Sequence, residues 1–443
     1  MSAGYTLATP RHEQSVSIQF LLICVVIAVP LMHTLRSLGM VYYGLLVAAV
    51  VGGLMLVLAR GLELPKSYGI TLYWLLWLEI ALVAWLSLGS VPASTVLSSV
   101  LRLVVAPSTL LFMYAALAHP RGLQVLLRIY VALCVGATLT LLIQVFTGPL
   151  PILGRTVART GLVRYSSLHG DVTIIGISNG IGLVIAALLP ARRALIKAGT
   201  IALVVLGLVL SLQKAAVMNL GLAFLIWALL SGRRRLVLRT ALVVGLLLVA
   251  FVVLGRAEVL PAWIVDYVDG FVLSATGLRL FESSASQVSN YRIINLLTLT
   301  ERFTILPAKV AAEIGWDSVV FGAGVLGGGG AMGIRSPQSH NTVFDLLFIG
   351  GLPLLAIFVG LSIHTLKTLF EFRSWHLQRF RPEPWIGSTA LVGGVVLFFI
   401  NMPYTSIAFF HPSMSFVFWL GLAASLRIAL DRGTKAPTCV RLR

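Results

Sequence analysis

Residues 39–59, GMVYYGLLVAAVVGGLMLVLA, form an uninterrupted apolar stretch without a charged side chain, and Arg60 follows it directly. About 20 apolar residues in an α-helix cross the roughly 30 Å hydrocarbon core of a bilayer. Similar stretches recur along the chain, in which 58% of the residues are hydrophobic and only 11% are charged. A soluble domain carries about a quarter charged residues. The sequence therefore predicts an all-α, polytopic membrane protein.

The same criterion predicts about twelve membrane spans. They are residues 17–35, 39–59, 69–88, 96–118, 124–146, 172–190, 198–213, 215–231, 236–255, 341–364, 385–402 and 411–430. The seventh and eighth spans are short, and only Gln213 and Lys214 separate them, which indicates a tight helical hairpin because Lys214 is costly at mid-bilayer. Residues 1–255 thus hold spans one to nine, 256–340 one large loop, 341–430 the last three spans, and 431–443 a tail.

Basic residues predict the orientation of these spans. A net charge of +18 could indicate nucleic-acid binding, but in a membrane protein excess lysine and arginine usually mark the cytoplasmic loops. We therefore expect membrane lipids and no nucleic acid as partners, with both termini in the cytoplasm. Alternate connections and the tail hold Arg60, Lys66, Arg121, Arg192, Arg193, Lys197, Arg233, Arg234, Arg235, Lys367, Arg373, Arg379, Arg381, Arg432, Lys435, Arg441 and Arg443.

Two extracytoplasmic loops, 147–171 and 256–340, break this charge pattern. Within the second, 256–285 is predicted to be an interfacial amphipathic segment, and 290–314 a helix. A flexible glycine-rich run from Gly322 to Gly333 follows, suited to close approach of a ligand or simply a loop. The basic residues of these two loops have two possible explanations: they bind an anionic ligand, or they are solvated loop charges. These are Arg155, Arg159 and Arg164 in the first loop, and Arg256, Arg279, Arg292, Arg302, Lys309 and Arg335 in the second.

The sequence contains few residues that are candidates for catalysis. Neither a Walker A motif nor a His-Glu-x-x-His zinc helix occurs. Asp317 and Asp345 are isolated, and the three cysteines lack metal-ligand spacing, so neither a metal site nor a cofactor is expected. A histidine, His340, stands at the mouth of the tenth span, where it could act as a general base or as a hydrogen-bonded structural residue. The basic side chains expected on the same side, which suit a diphosphate, are Arg302, Arg292, Arg164, Arg159 and Lys214.

Three segments carry a resemblance to a known family. Residues 340–351, HNTVFDLLFIGG, resemble the signature of the O-antigen ligase and O-antigen polymerase superfamily, which is His-Asn, nine residues and Gly at the start of a span. Residues 301–303 followed by 319–324 resemble the family's arginine-led loop helix and its Gly-x-Gly turn. Residues 210–216, LSLQKAA, resemble its hairpin tip, although Lys214 stands where an arginine is usual, and Pro353-Leu354 is a second departure.

The resemblance implies a metal-independent, inverting glycosyltransferase of the GT-C-like class in the bacterial inner membrane, with a periplasmic active site. Its substrate would be an undecaprenyl-diphosphate-linked glycan. The family's catalytic histidine falls on His340, its loop arginine on Arg302 and its hairpin arginine on Lys214, and the last two would bind the diphosphate. Lysine keeps the charge but loses the bidentate fork of arginine.

Three functions stay open on the sequence. A polymerase passes the glycan to a lipid-linked repeat unit, and a chain-length regulator is then a further partner to consider. Arg159 to Gly170 matches the arginine, ten residues, glycine pattern of some polymerases, which favours this reading. A ligase instead passes the glycan to the lipid A core. A lipid-linked oligosaccharide transporter is the third, because Glu79 and Arg102 lie within spans and could line a pathway, although a paired structural contact is favoured for them.

Overall fold

We describe the protein from a computed structural model. It describes residues 16–32, 64–119, 121–153, 157–159, 162–170, 174–191, 193–211, 214–233, 301–332, 339–378, 387–406 and 408–434. It also describes position 172 and some of the positions within 44–55 and 235–259.

The described part of the chain is a bundle of helices. In chain order they are α1 (Val16–Met32), α2 (Tyr68–Ser87), α3 (Ala93–Ala116), α4 (Gly122–Thr147), α5 (Ile175–Leu188), α6 (Ala194–Leu210), α7 (Lys214–Leu230), α8 (Leu306–Ile314), α9 (Ser318–Phe321), α10 (Thr342–Gln378), α11 (Ser388–Asn401) and α12 (Pro412–Thr434). An antiparallel hairpin, β1 (Val157–Arg159) and β2 (Leu162–Arg164), is a small exception to the all-α prediction. It lies within the loop 147–171.

Among the described residues, five helical segments are long and apolar enough to cross a membrane, which supports a helical membrane protein. They are Tyr68–Ser87, Ala93–Ala116, Gly122–Thr147, Thr342–Phe372 and Pro412–Leu430. Shorter apolar helices cover parts of other predicted spans: Leu46–Met55, Ile175–Leu188, Ala194–Leu210, Met218–Leu230 and Ser388–Tyr404. Since a shorter helix crosses only where the bilayer is locally thinner or where flanking side chains snorkel to the surface, the total of twelve stays a prediction.

Helix α10 lies between α2 and α12 in this bundle. Its Phe358 packs on Phe409 in a tilted arrangement, with ring centroids 4.3 Å apart, and Phe409 meets Phe418 of α12 at 4.6 Å. The indole N–H of Trp419 donates to the carbonyl oxygen of Phe409 at 2.9 Å. Aromatic pairs of this geometry contribute beyond their buried area, so this cluster fixes the two late helices to each other.

Helix α10 is broken at Gly351, whose φ of 68° and ψ of −162° are not helical. The glycine-rich segment fits into the break, because the backbone of Gly322 lies against Ile349 and Gly350 with no room for a side chain. The Ala323 N–H donates to the Phe348 carbonyl oxygen at 2.7 Å. Residues 324–332 form a 3-10 helix that is interrupted at Gly329, and most of residues 324–329 are buried. The glycines allow two backbones to touch.

Glu79 of α2 lies beside this break. The residue is 7% exposed, and its Oε1 has no hydrogen-bond partner among the described residues. A Cβ atom at Gly350 would lie 3.0 Å from the same oxygen. No ion pair joins Glu79 to Arg102 within the described part of the chain, which contradicts the paired contact that the sequence analysis favoured.

Replacing Glu79 by methionine is expected to stabilise the protein. A buried polar group without a partner costs about 1–3 kcal/mol, and a thioether of similar length removes that cost. Thermal unfolding in detergent measures the effect. Glu371→Gln is the matched control, because Glu371 is an exposed residue that pairs with Lys367 at 4.0 Å and should matter little. A lower unfolding midpoint for Glu79→Met would contradict this account.

Candidate functional site

His340 occupies a corner where the chain enters α10. It is the only non-glycine residue with a positive φ among the described residues, at 55°, and it is partly exposed. A side chain in this left-handed region is uncommon, and such conformations persist only where neighbouring contacts enforce them. The corner therefore presents one imidazole in an enforced backbone geometry.

Buried polar residues surround this corner. Ser339, Asn341 and Asp345 are each 0% exposed. Ser339 Oγ lies 2.6 Å from Asp345 Oδ1 and 2.8 Å from the Asn341 carbonyl oxygen, and it accepts the Asn341 N–H at 3.1 Å. Asn341 Oδ1 accepts the Val343 N–H at 3.0 Å. Asparagine is a preferred N-cap because its side-chain oxygen takes up a free amide of the first turn, which explains the residue that follows the histidine.

Thr342 connects the corner to the segment between α11 and α12. Its hydroxyl donates to the Thr405 carbonyl oxygen at 2.7 Å and accepts the Ala408 N–H at 3.0 Å. Because the threonine is 0% exposed, both bonds are shielded from water. The start of α10 is thereby fixed to the segment that joins α11 to α12.

The segment that carries Arg302 packs against the first turns of α10. Its backbone forms a π-helical turn, Glu301–Ile305, that continues into α8. The Phe303 ring meets Phe344 edge to face at 6.3 Å, and Val310 of α8 packs on Phe348. The structure describes the backbone of Arg302 and not its side chain. That backbone lies next to Phe303, which touches the helix that His340 precedes.

The loop between α4 and α5 folds back onto the bundle. Gln144, which is 1% exposed, donates from Nε2 to the Ser166 carbonyl oxygen at 2.8 Å and accepts the Leu150 N–H at 3.3 Å. Both ends of the loop are therefore bound to one side chain of α4. Arg164 ends β2 and is partly exposed, whereas Arg159 pairs with Leu162 through its backbone, which is the part that the structure describes.

His169 is a candidate that the sequence analysis did not single out. It is 1% exposed, and its Nε2 lies 3.2 Å from Asn179 Oδ1. Burial lowers the pKa of His169 to about 4, and the hydrogen bond to Asn179 offsets a part of that shift. Asn179 Nδ2 donates in turn to Thr138 Oγ1 at 3.3 Å. The sequence around His169, Ser-Ser-Leu-His-Gly, does not predict a buried histidine, because it has neither the periodicity of a helix nor that of a strand.

The His169 pKa predicts a loss of stability in acid. The folded pKa lies below the unfolded value of roughly 6.5, so the neutral imidazole stabilises the fold fully above that pH. This contribution of about 3 kcal/mol is lost as the pH falls from about 6.5 towards 4. Unfolding midpoints at pH 7 and pH 5 should therefore differ more for the wild type than for His169→Gln. The exposed His119→Gln is the control, and an equal pH dependence in wild type and His169→Gln would refute the role of burial.

Asparagines connect the remaining helix ends. Asn401 Nδ2 donates to Asn219 Oδ1 at 2.7 Å, and Asn219 Nδ2 donates to the Gly176 carbonyl oxygen at 3.2 Å. Both side chains are 0% exposed. We call the set Thr138, His169, Asn179, Asn219, Asn401, Thr405 and Thr342 the polar framework. Its hydrogen bonds form three groups at one end of the bundle, at the loop 165–170, at the start of α7 and at the start of α10.

The positions of the polar framework show at which end of the bundle the predicted site residues lie. Lys214 begins α7, the helix that holds Asn219, and Arg164 precedes the loop that holds His169, so both segments lie at the His340 end. For Lys214, as for Arg302, the structure describes the backbone alone, and Arg292 lies outside the described residues. No three His, Cys, Asp or Glu side chains form a metal-binding group among the described residues.

The imidazole of His340 lies at a partly exposed corner at the same end of the bundle as three segments that carry basic residues. Buried amides lie at this end as well. Comparison with known proteins adds no assignment: no protein-family model matches the chain, and no curated protein matches it significantly.

Proposed function

We propose that the protein is a metal-independent, inverting glycosyltransferase of the bacterial inner membrane, and specifically a polysaccharide polymerase. One observation carries the proposal: His340 is held in an enforced conformation at the same end of the bundle as the segments of Arg164, Lys214 and Arg302. In this proposal the chain has about twelve spans and cytoplasmic termini, and the His340 end faces the periplasm.

The reaction assigned to this end transfers a glycan between two lipid carriers. The imidazole of His340 accepts the proton of an acceptor sugar hydroxyl, whose oxygen bonds to the anomeric carbon of the growing glycan. The bond between that carbon and the diphosphate oxygen breaks, and undecaprenyl diphosphate leaves with the electron pair. Attack from the face opposite the leaving group inverts the anomeric configuration.

The basic residues stabilise the leaving group in this proposal. Arginine binds phosphate oxygens with two parallel hydrogen bonds and stays charged, so it can take the place of a metal ion at a diphosphate. Arg302 has this role because its segment packs on the first turns of α10. Lys214, Arg164, Arg159 and Arg292 supply further positive charge to the diphosphate or the glycan.

The polymerase reading is tested in proteoliposomes that contain only the purified protein and a lipid-linked glycan. The glycan is extracted from membranes of cells that lack the gene, where it should accumulate. We expect longer glycans to form without a lipid A core. Growth only after addition of lipid A core would instead identify a ligase, and no transfer to either acceptor would refute the enzyme proposal.

A transporter remains a second candidate because of one observation. Helix α10 is broken at Gly351, and the buried carboxyl group of Glu79 lies beside the break. Broken helices next to ionisable groups are typical of transport sites. In the same proteoliposomes, a lectin outside the vesicles would report movement of the glycan across the bilayer. Movement without chain growth would favour this candidate.

A further inference from the structure

The left-handed conformation of His340 needs a cause within the fold. Asn341 already caps α10 through the Val343 N–H, so the Ser339–Asp345 contact is not required for capping. That contact joins the residue before His340 to the first turn of the helix after it. Ser339 also bonds to both the N–H and the carbonyl oxygen of Asn341. One hydroxyl group thus bonds to residues on the far side of His340 at three points.

The protons at this hydroxyl can be counted. Ser339 Oγ has one proton, yet it lies 2.8 Å from the Asn341 carbonyl oxygen and 2.6 Å from Asp345 Oδ1. The carbonyl oxygen can only accept. The shorter of the two contacts is the one to Asp345, to which the Ser339 hydroxyl donates.

We propose that Ser339 and Asp345 are positioning residues for His340, and that the Ser339 hydroxyl, which donates to Asp345, joins the two sides of the corner. The pair holds the backbone of His340 in the left-handed conformation at this partly exposed corner. This inference rests on the proposed function, because positioning is defined here relative to the base. Neither residue touches substrate, since both are 0% exposed.

Four variants test the inference in the proteoliposome assay with extracted lipid-linked glycan. Asp345→Leu and Ser339→Ala remove the contact and should lower kcat about a hundredfold, because a displaced base loses its geometry. KM should change little. Asp345→Asn should stay close to the wild type, since its side-chain carbonyl oxygen can still accept the Ser339 hydroxyl. Asp317→Leu, at an exposed carboxyl group, is the control and should have no effect.

A double variant separates positioning from a general structural role. If Asp345 acts through His340, adding Asp345→Leu to His340→Ala should cause no further loss of activity. Full activity of Asp345→Leu would overturn the inference, and so would an Asp345→Asn variant as slow as Asp345→Leu. Thermal unfolding checks that each variant folds, and Ser339→Ala carries the test if Asp345→Leu does not. Full activity of His340→Ala would instead refute the proposed function itself.

Discussion

Replacing His340 by alanine or asparagine is expected to abolish polymer formation in cells. Loss of a general base costs about 10²–10⁴-fold in rate. Asparagine tolerates the left-handed region better than most residues, so His340→Asn keeps the backbone corner while it removes the base. The measurement is the polysaccharide ladder on a gel, made by cells in which the variant replaces the wild-type gene.

Expression level and thermal unfolding of the purified variants show whether the protein still folds. His119→Ala serves as the control, because His119 is exposed beyond the end of α3 and should not affect the ladder. A ladder of normal length and yield from His340→Asn would contradict the role of the imidazole.

Replacing Arg302 by lysine is expected to lower the rate of glycan transfer severely, although the positive charge is kept. A guanidinium group binds two oxygens of a diphosphate in parallel, whereas an ammonium group is a point charge. Removal of a hydrogen-bond donor to a developing anion lowers kcat by about 10²–10³-fold. Single-turnover transfer of extracted lipid-linked glycan measures this effect separately from product release.

Lys309→Ala is the matched control for this prediction. Lys309 lies exposed on α8, in the same loop and with the same charge, but outside the segment that meets Phe344. Activity of Arg302→Lys equal to the wild type would indicate that Arg302 is a solvated loop charge.

The positions of the helices could be predicted from the sequence because apolar length alone determines them in a bilayer. The spans 69–88, 96–118 and 124–146 each match a described helix to within a few residues. The break in α10 could not be predicted from apolar length. Gly350 and Gly351 lie in a continuous apolar run, and only the packing of Gly322 against them shows that two backbones touch there.

The candidate site was predicted in part. His340 was identified by its motif and by its place at the start of a span, and both the corner and the N-cap at Asn341 have a local explanation. His169 and the asparagines could not be found this way, because their partners lie in other helices. Asn219 and Asn401 are far apart in the chain and meet only through folding.

The paired contact expected for Glu79 failed for a related reason. Sequence shows which charged residues share the membrane interior, but not which faces of their helices meet. In the structure Glu79 faces the break of α10 rather than Arg102.

The most direct test of the central claim is the release of undecaprenyl diphosphate by the purified protein. Proteoliposomes with extracted lipid-linked glycan are incubated with a chelator of divalent metals, and the released lipid is measured by mass spectrometry. The account predicts one undecaprenyl diphosphate for each glycan transferred by the wild type, and a loss of release in His340→Asn. No release by the wild type, or equal release by the variant, would contradict it.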